Sequence, residues 1–379
     1  MIYLDNAATS WPKPEVVYQT MDQFMRHKAA NPGRAGHKMA AQAGELVWQT
    51  RNLLAKFFNA HRSQEIILTK NATEALNLAL QGYLEAGDHV VTTSLAHNSI
   101  LRPLKEFEPE IEVTIVEADN SGQIKLEQIE ASLQQNTKLV AVTHASNVTG
   151  FLLPIKEIGE LLEEKDIKFL VDAAQTAGVY PLDVQEMKID MLAFTGHKSL
   201  FGPPGTGGLY LNNSIELKPL LSGGTGSNSE DIYQPRICPD RYESGTANTV
   251  GLAGLKAGIE FILEEGLDSI RQHEEELLDY LISKLKEIPE ITLYGPTNIN
   301  KQAPLLSVNF GAEDSGELGY ILDKAFDIAV RTGLHCAPLA HRSLGTFQRG
   351  TVRFSLGYFN TLDELEEVIR VSKEIAAKL

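Results

Sequence analysis

The chain has 379 residues, room for one large and one smaller domain. It carries 34 basic against 50 acidic residues, a net charge of -16, which argues against nucleic acid or an anionic membrane as the main partner. No apolar run is long enough to cross a bilayer, no basic-then-apolar leader precedes Tyr3-Leu4-Asp5, and two cysteines in so long a chain fit a reducing compartment, so a soluble cytoplasmic protein is expected.

Residues 1–13 contain Asp5-Asn-Ala-Ala-Thr9-Ser10, then Pro12, and read as an extended entry to a helix. Val17, Met21, Phe24 and Met25 share one face of that helix. A loop at 31–37 carries two basic groups, Arg34 and His37. A second helix follows over about 39–58, with Leu46, Val47, Leu53, Leu54, Phe57 and Phe58 as its buried stripe.

From Glu65 the pattern changes. Strand candidates at 65–69, 89–93, 113–116, 139–143 and 168–172 alternate with helix candidates at 73–85, 98–107, 125–133 and 155–165. Short strands at 191–194 and 209–211 flank a Gly/Pro loop. This alternation predicts an α/β fold with a mostly parallel sheet covered by helices. Ligands on such sheets sit at the carboxyl ends of the strands. After a Gly/Ser-rich loop at 223–227 come two long helices, at about 250–264 and 269–287. Strands near Thr292 and at 305–310, 328–331 and 351–356 follow, then a last helix from Leu362. The expected division is a large domain over 15–250 and a smaller C-terminal α/β domain made of 1–14 and 251–379.

Several segments carry chemistry. Lys198 ends Thr195-Gly-His197-Lys198, ahead of Gly202-Pro-Pro-Gly205-Thr-Gly-Gly208, where no helix can start. An amine held in so stiff a loop can form a Schiff base once burial or a neighbouring cation lowers its pKa; an ordinary exposed lysine is the alternative. The strand at 168–172 ends on Asp172, at the same edge, with Gln175 three residues on. Asp172 there either keeps a pyridine nitrogen protonated or caps the next turn, and Gln175 can hydrogen-bond a phenolic oxygen. Lys70-Asn71-Ala72-Thr73-Glu74 joins a strand to a helix start, which makes an anion site or an ordinary N-cap. Thr195 and His197 can add donors to it. His97 opens a helix at the same edge and can stack on a flat ring, move protons, or serve structure alone. Cys336 lies near Arg331 and His335, two groups that can supply positive charge and favour the thiolate. A buried structural cysteine is the other reading. Arg353, in a strand among apolar neighbours, needs an anion, either a substrate carboxylate or an internal salt bridge. No strand leads into a Gly-x-Gly-x-x-Gly turn that opens a helix, which argues against a dinucleotide site.

Taken together, the chain resembles the pyridoxal-phosphate enzymes of the class V aminotransferase fold, and among them the cysteine desulfurase / selenocysteine lyase family. The resemblance is carried by Leu4-Asp-Asn-Ala-Ala-Thr9, Asn71-Ala-Thr73-Glu74, His144-Ala-Ser-Asn147, Asp172-Ala-Ala-Gln175, Thr195-Gly-His-Lys198, Glu243-Ser-Gly-Thr246, Arg331-Thr-Gly-Leu-His-Cys336-Ala and Arg353-Phe-Ser-Leu. It implies a type I fold with a seven-stranded, mostly parallel sheet. It implies pyridoxal 5'-phosphate bound through Lys198, with Asp172 at the pyridine nitrogen, Gln175 at the ring hydroxyl and His97 stacked on the ring. Ala72, Thr73, Thr195 and His197 would hold the phosphate, helped by Thr246 from the second subunit of a homodimer. Asn147, beside the cofactor, and Arg353 would hold the substrate carboxylate. Cys336 would take sulfur from L-cysteine as a persulfide, leave L-alanine, and pass the sulfur to an acceptor protein or small thiol. The alternatives are L-selenocysteine as substrate, or an aminotransferase or epimerase of the same fold in which Cys336 is dispensable. The family often has histidine where this chain has Leu334, and threonine where it has Ala72. No residue is assigned to a metal.

Overall fold

The computed structural model describes residues 1–32, 36–227 and 229–379, so Arg34 of the expected basic loop lies outside the described residues. The first part of the chain forms β1 (Ile2–Tyr3), α1 (Glu15–His27), α2 (Lys38–Phe57), β2 (Ile66–Thr69), α3 (Ala72–Tyr83), β3 (His89–Thr93) and α4 (Asn98–Phe107). It continues through β4 (Glu112–Val116), α5 (Leu126–Ala131), β5 (Thr137–Thr143), α6 (Ile155–Glu163), β6 (Lys168–Asp172), β7 (Met191–Thr195) and β8 (Gly207–Leu211). The remainder forms α7 (Thr249–Glu265), α8 (Leu267–Leu285), β9 (Ile291–Tyr294), β10 (Leu305–Phe310), α9 (Ser315–Phe326) and β11 (Ile328–Ala329). Then follow β12 (Arg331–Gly333), α10 (Pro338–Ser343), β13 (Thr351–Ser355) and α11 (Leu362–Ala376).

The large sheet has seven strands in the order β2-β8-β7-β6-β5-β3-β4. Only β8 runs against its neighbours β2 and β7; the other pairs are parallel. A parallel sheet is covered on both faces, so its strands read as unbroken apolar runs. The two faces still separate by the period of the pleat. Val140, Val142, Phe169, Val171, Leu192 and Phe194 enter one core. Leu139, Ala141, Leu170, Met191 and Ala193 enter the core on the other face. Because β2, β3, β5, β6 and β7 point the same way, their carboxyl ends deliver five loops to one rim.

The smaller sheet is antiparallel, ordered β12-β13-β10-β9. Its core joins Leu4 to Leu277, Leu281, Phe310, Phe354 and residues of α11. The expected division at 250/251 falls at the start of α7. However, Leu252, Leu255, Ile259 and Ile262 of α7 pack into the core of the large sheet, and the small core begins within α8. The apolar run at 328–331 is two strands rather than one. β11 pairs in parallel with β1, and β12 pairs with β13. The N-terminal stretch expected only as an entry to a helix thus supplies a strand. Helices α9 and α10 were outside the expected elements; Asp314 caps α9 by accepting from the Gly316 and Glu317 amides. No helix among the described residues is long and apolar enough to cross a membrane.

Glu274 of α8 is 3% exposed, and burial, helped by the charge of Glu275, raises its carboxyl from 4.5 to about 8. In the folded chain it therefore holds a proton that the unfolded chain releases. Its ionisation costs stability progressively as pH rises from about 4.5 towards 8. Glu274→Gln removes that cost. Thermal melts should show a gain in midpoint at pH 9 and little or none at pH 5.

Candidate active site

The rim formed by the carboxyl strand ends encloses a cavity of about 210 Å³. Ala72, Thr73, His97, Asn147, Asp172, Gln175, Thr195, His197 and Lys198 all line it. Cys336, Arg353 and Thr246 do not.

Asp172 is the last residue of β6 and Thr195 the last of β7, and these strands are paired in parallel. The Asp172 carboxylate is buried, and its Oδ1 accepts from the Ala174 amide at 2.9 Å. Burial raises its pKa, opposed by the Ala174 N–H and by the charge of Lys198. Lys198 borders the cavity with part of its surface open. Burial lowers its pKa from 10.5 to about 8; Asp172 acts upward, and Arg353 and Arg331 act downward. The two groups face one space, and each favours the charged form of the other. Gly178 fixes the two loops together. Its φ of +102° suits glycine, and a Cβ there would stand 2.3 Å from the Ser199 carbonyl oxygen.

At the far wall, α3 points its N-terminus at the cavity. Asn71 caps it by accepting from the Glu74 amide at 2.9 Å. Ala72 and Thr73 then present a first turn with positive dipole. Ser99, which the sequence reading passed over, also lines the cavity. Its hydroxyl lies 2.8 Å from Thr73 Oγ1 and 2.9 Å from His97 Nδ1, so it joins the anion cradle to the histidine. The available signal was a hydroxyl in the first turn of the helix that His97 opens. The Ser99 amide also donates to His97 Nδ1, so that nitrogen is an acceptor and the ring proton resides on Nε2. Burial, then the charge of Lys198, lowers His97 to about 4, and the same two causes lower His197 to about 4. Both imidazoles are neutral at pH 7.

The cysteine loop leans on this rim from the small sheet. Asn147 Nδ2 donates to the His335 carbonyl at 2.6 Å, and the Asn98 amide donates to the Cys336 carbonyl at 2.8 Å. Cys336 is exposed, so it is not a core cysteine. Arg331 Nη2 lies 3.6 Å from its Sγ. His335 does not supply the positive charge expected of it. It is 2% exposed, and burial, then the charge of Arg353, lowers its pKa to about 2. Arg353 is 1% exposed and ion-paired to Asp5 at 3.0 Å. Of the two partners the sequence left open, the internal one is present. Thr246 is exposed and away from the cavity of its own chain.

The donor set fits pyridoxal phosphate. A buried carboxylate suits a cationic ring nitrogen, an amine of lowered pKa suits an aldehyde, and a helix N-terminus suits a phosphate.

A family model described as aminotransferase class-V matches residues 2–368. The chain is 36% identical over 392 residues to a Pyrococcus abyssi protein named "Probable cysteine desulfurase", covering 100% of this chain and 95% of that one. It is 34% identical over 383 residues to a cysteine desulfurase of Escherichia coli, covering 97% and 92%. The apo structure of cysteine desulfurase from Thermococcus onnurineus NA1 matches with a TM-score of 0.94 at 35% identity, covering 100% and 95%.

Two outcomes follow from the geometry. A Cβ at Gly207 would stand 2.8 Å from both Asn71 Cα and the Phe194 carbonyl oxygen, neither of which can swing aside. Gly207→Ala should lose roughly 1–3 kcal/mol in denaturant melts and weaken retention of pyridoxal phosphate more than of pyridoxal. In cofactor-free protein, reductive methylation should report Lys198 titrating near 8. Asp172→Asn removes the carboxylate that raises this value, so the midpoint should move lower.

Proposed function

This chain belongs to the aminotransferase class-V family, and we infer that it is a pyridoxal-phosphate-dependent cysteine desulfurase that converts L-cysteine to L-alanine. The observation that carries the reading is that Lys198 and Asp172 share one cavity, while the loop of an exposed cysteine is bonded to its rim. When bound, pyridoxal phosphate supplies an electron sink that makes the Cα proton of the amino acid acidic.

The chain's own residues do the rest. Lys198 would hold the cofactor covalently, and with a pKa of about 8 its amine can take and return protons near neutral pH. Asp172 would favour a protonated ring nitrogen, and Gln175 would hydrogen-bond the ring hydroxyl. His97 would stack on the ring as a neutral imidazole with its proton on Nε2. The amides of α3 with Thr73, Thr195 and His197 would hold the phosphate. Asn147 and Arg353 receive the substrate carboxylate. The Cys336 thiolate, beside Arg331, attacks the substrate sulfur. An S–S bond forms as the C–S bond breaks; the electron pair stays with carbon, which takes a proton to become alanine. The persulfide on Cys336 is exposed to an acceptor protein or small thiol. A homodimer is supported by the exposed Thr246, which is free to reach a neighbouring cavity. Ile232, Tyr233 and Ile237, nearby in sequence, are large apolar side chains exposed at 93%, 77% and 70%.

The test is Cys336→Ser in the cofactor-loaded enzyme. It should abolish sulfide release from L-cysteine in the presence of reductant, by at least about a hundredfold, while leaving the cofactor's absorbance intact. Full activity in that variant refutes the persulfide role. Lys198→Ala should lose the absorbance of covalently held cofactor.

A further inference from the structure

Arg353 has more donors than the fold uses. Its Nη1 donates to the Asn147 carbonyl at 2.9 Å, and its Nη2 to Asp5 Oδ1 at 3.0 Å. Its Nε is buried and has no partner. The Nε and Nη2 edge of a guanidinium is the side that grips a carboxylate with two parallel hydrogen bonds. Asp5 occupies one prong of that fork and leaves the other unused. The pair opens to solvent on the Asp5 side, where 23% of the side chain is exposed against 1% for Arg353.

The position relative to the site is also fixed. Asn147, whose carbonyl holds Arg353, lines the cavity with Lys198. Asp5 and Arg353 both act on the charge of Lys198, with opposite signs. The backbone around Asp5 is tied down independently of its side chain. It bridges Ser355; the Asn6 amide donates to the Ser355 carbonyl at 3.3 Å, and the Ser355 amide to the Leu4 carbonyl at 2.8 Å. The carboxylate can therefore turn away without unpairing the strand.

We propose that Asp5 is a resting anion that competes with the substrate carboxylate for Arg353, so that amino-acid binding is an exchange of one carboxylate for another. A buried guanidinium left without an anion is costly. Asp5 removes that cost while the site waits for substrate, and when it turns away the Nε and Nη2 edge is freed for an arriving carboxylate to grip with both prongs. This inference rests on Arg353 being the carboxylate anchor of the function proposed above.

The test titrates L-alanine and ethylamine, an amine without the carboxylate, into the cofactor-loaded enzyme by calorimetry and by the cofactor's absorbance. Asp5→Asn keeps a hydrogen-bond acceptor but removes the competing charge. It should bind L-alanine roughly fivefold tighter, the scale of a part-exposed ion pair, with ethylamine unchanged. Asp5→Ser should do the same and serves should the first variant melt early. Unchanged or weaker binding of L-alanine in these variants overturns the proposal. Arg353→Met separates the two readings. If it weakens L-alanine but not ethylamine while Asp5→Asn fails to tighten it, the anchor stands and Asp5 is no competitor. If it leaves L-alanine unaffected, the anchor fails and the competition fails with it.

Discussion

An amine and a carboxylate are held in one cavity, and the surrounding structure follows from that constraint. Neither Lys198 nor Asp172 is stable there alone, because burial works against each charge. Across the shared cavity each favours the charged form of the other, and burial still prevails, leaving the amine lowered to about 8 and the carboxylate raised. A parallel sheet makes the arrangement possible. Adjacent strands β6 and β7 end at the same rim, so two residues 26 positions apart in sequence reach one cavity although the irregular stretch 173–190 separates the strands.

The cysteine loop meets a different constraint. His335 and Cys336 both take positive φ, 47° and 59°, which costs a side-chain-bearing residue about 1–3 kcal/mol each. The loop keeps this shape because it is bonded at both carbonyls to the cavity rim, through Asn147 and Asn98, and closed by the Ala337 amide on the Leu334 carbonyl. The His335 ring sits in the core, 3.0 Å from Thr351 Oγ1 and packed beside His341. A neutral, buried imidazole anchors the backbone so that the next residue, Cys336, is turned outward. Its part is to position the loop, whereas the charge near the sulfur comes from Arg331.

Much of the site was legible in the chain because its residues are local to strand ends. Asp172, Lys198, Thr73 and His97 each follow an apolar run, and that run fixes which edge they reach. The same apolar runs located β2 to β8 within a residue or two. What the chain concealed depends on burial or on long-range pairing. Nothing in Arg331-Thr-Gly-Leu-His335-Cys336 distinguishes a charged histidine from a buried neutral one. The run Ile328–Arg331 contains no break, yet it serves two sheets, because β1 arrives from more than three hundred residues away to pair with its first half. Helix α7 was assigned to the smaller unit by position, while its apolar face decides for the large sheet. Ser99 was missed because a serine in a first turn is an ordinary capping residue until the fold brings Thr73 beside it.

The segment from Asp5 to Lys13 has little regular structure, yet it ties these parts together. The Ser10 amide, Thr9 Oγ1 and Lys13 Nζ all donate to the His197 carbonyl, at 3.1, 3.0 and 3.1 Å. Ser10 Oγ donates to the Lys198 carbonyl at 2.8 Å. The Ala7 carbonyl accepts from Gln175, and the Ala7 amide donates to Ser355 Oγ of the small sheet. Burial lowers Lys13 itself to about 8, so this ammonium gives up hydration to hold a backbone oxygen. Such a contact is hard to account for by stability alone, since an unburied lysine keeps its water at no cost. It is accounted for if the backbone carrying Lys198 must not drift. A flexible lysine side chain can reach one atom of a ligand repeatedly only when its own carbonyl and the one before it are fixed. An irregular segment suits the task better than a helix would. The Ala8 and Thr9 amides close a turn on the Asp5 carbonyl, while the Ser10 amide and the Ala7 amide and carbonyl, which a helix would pair internally, bond the lysine loop, Gln175 and the small sheet.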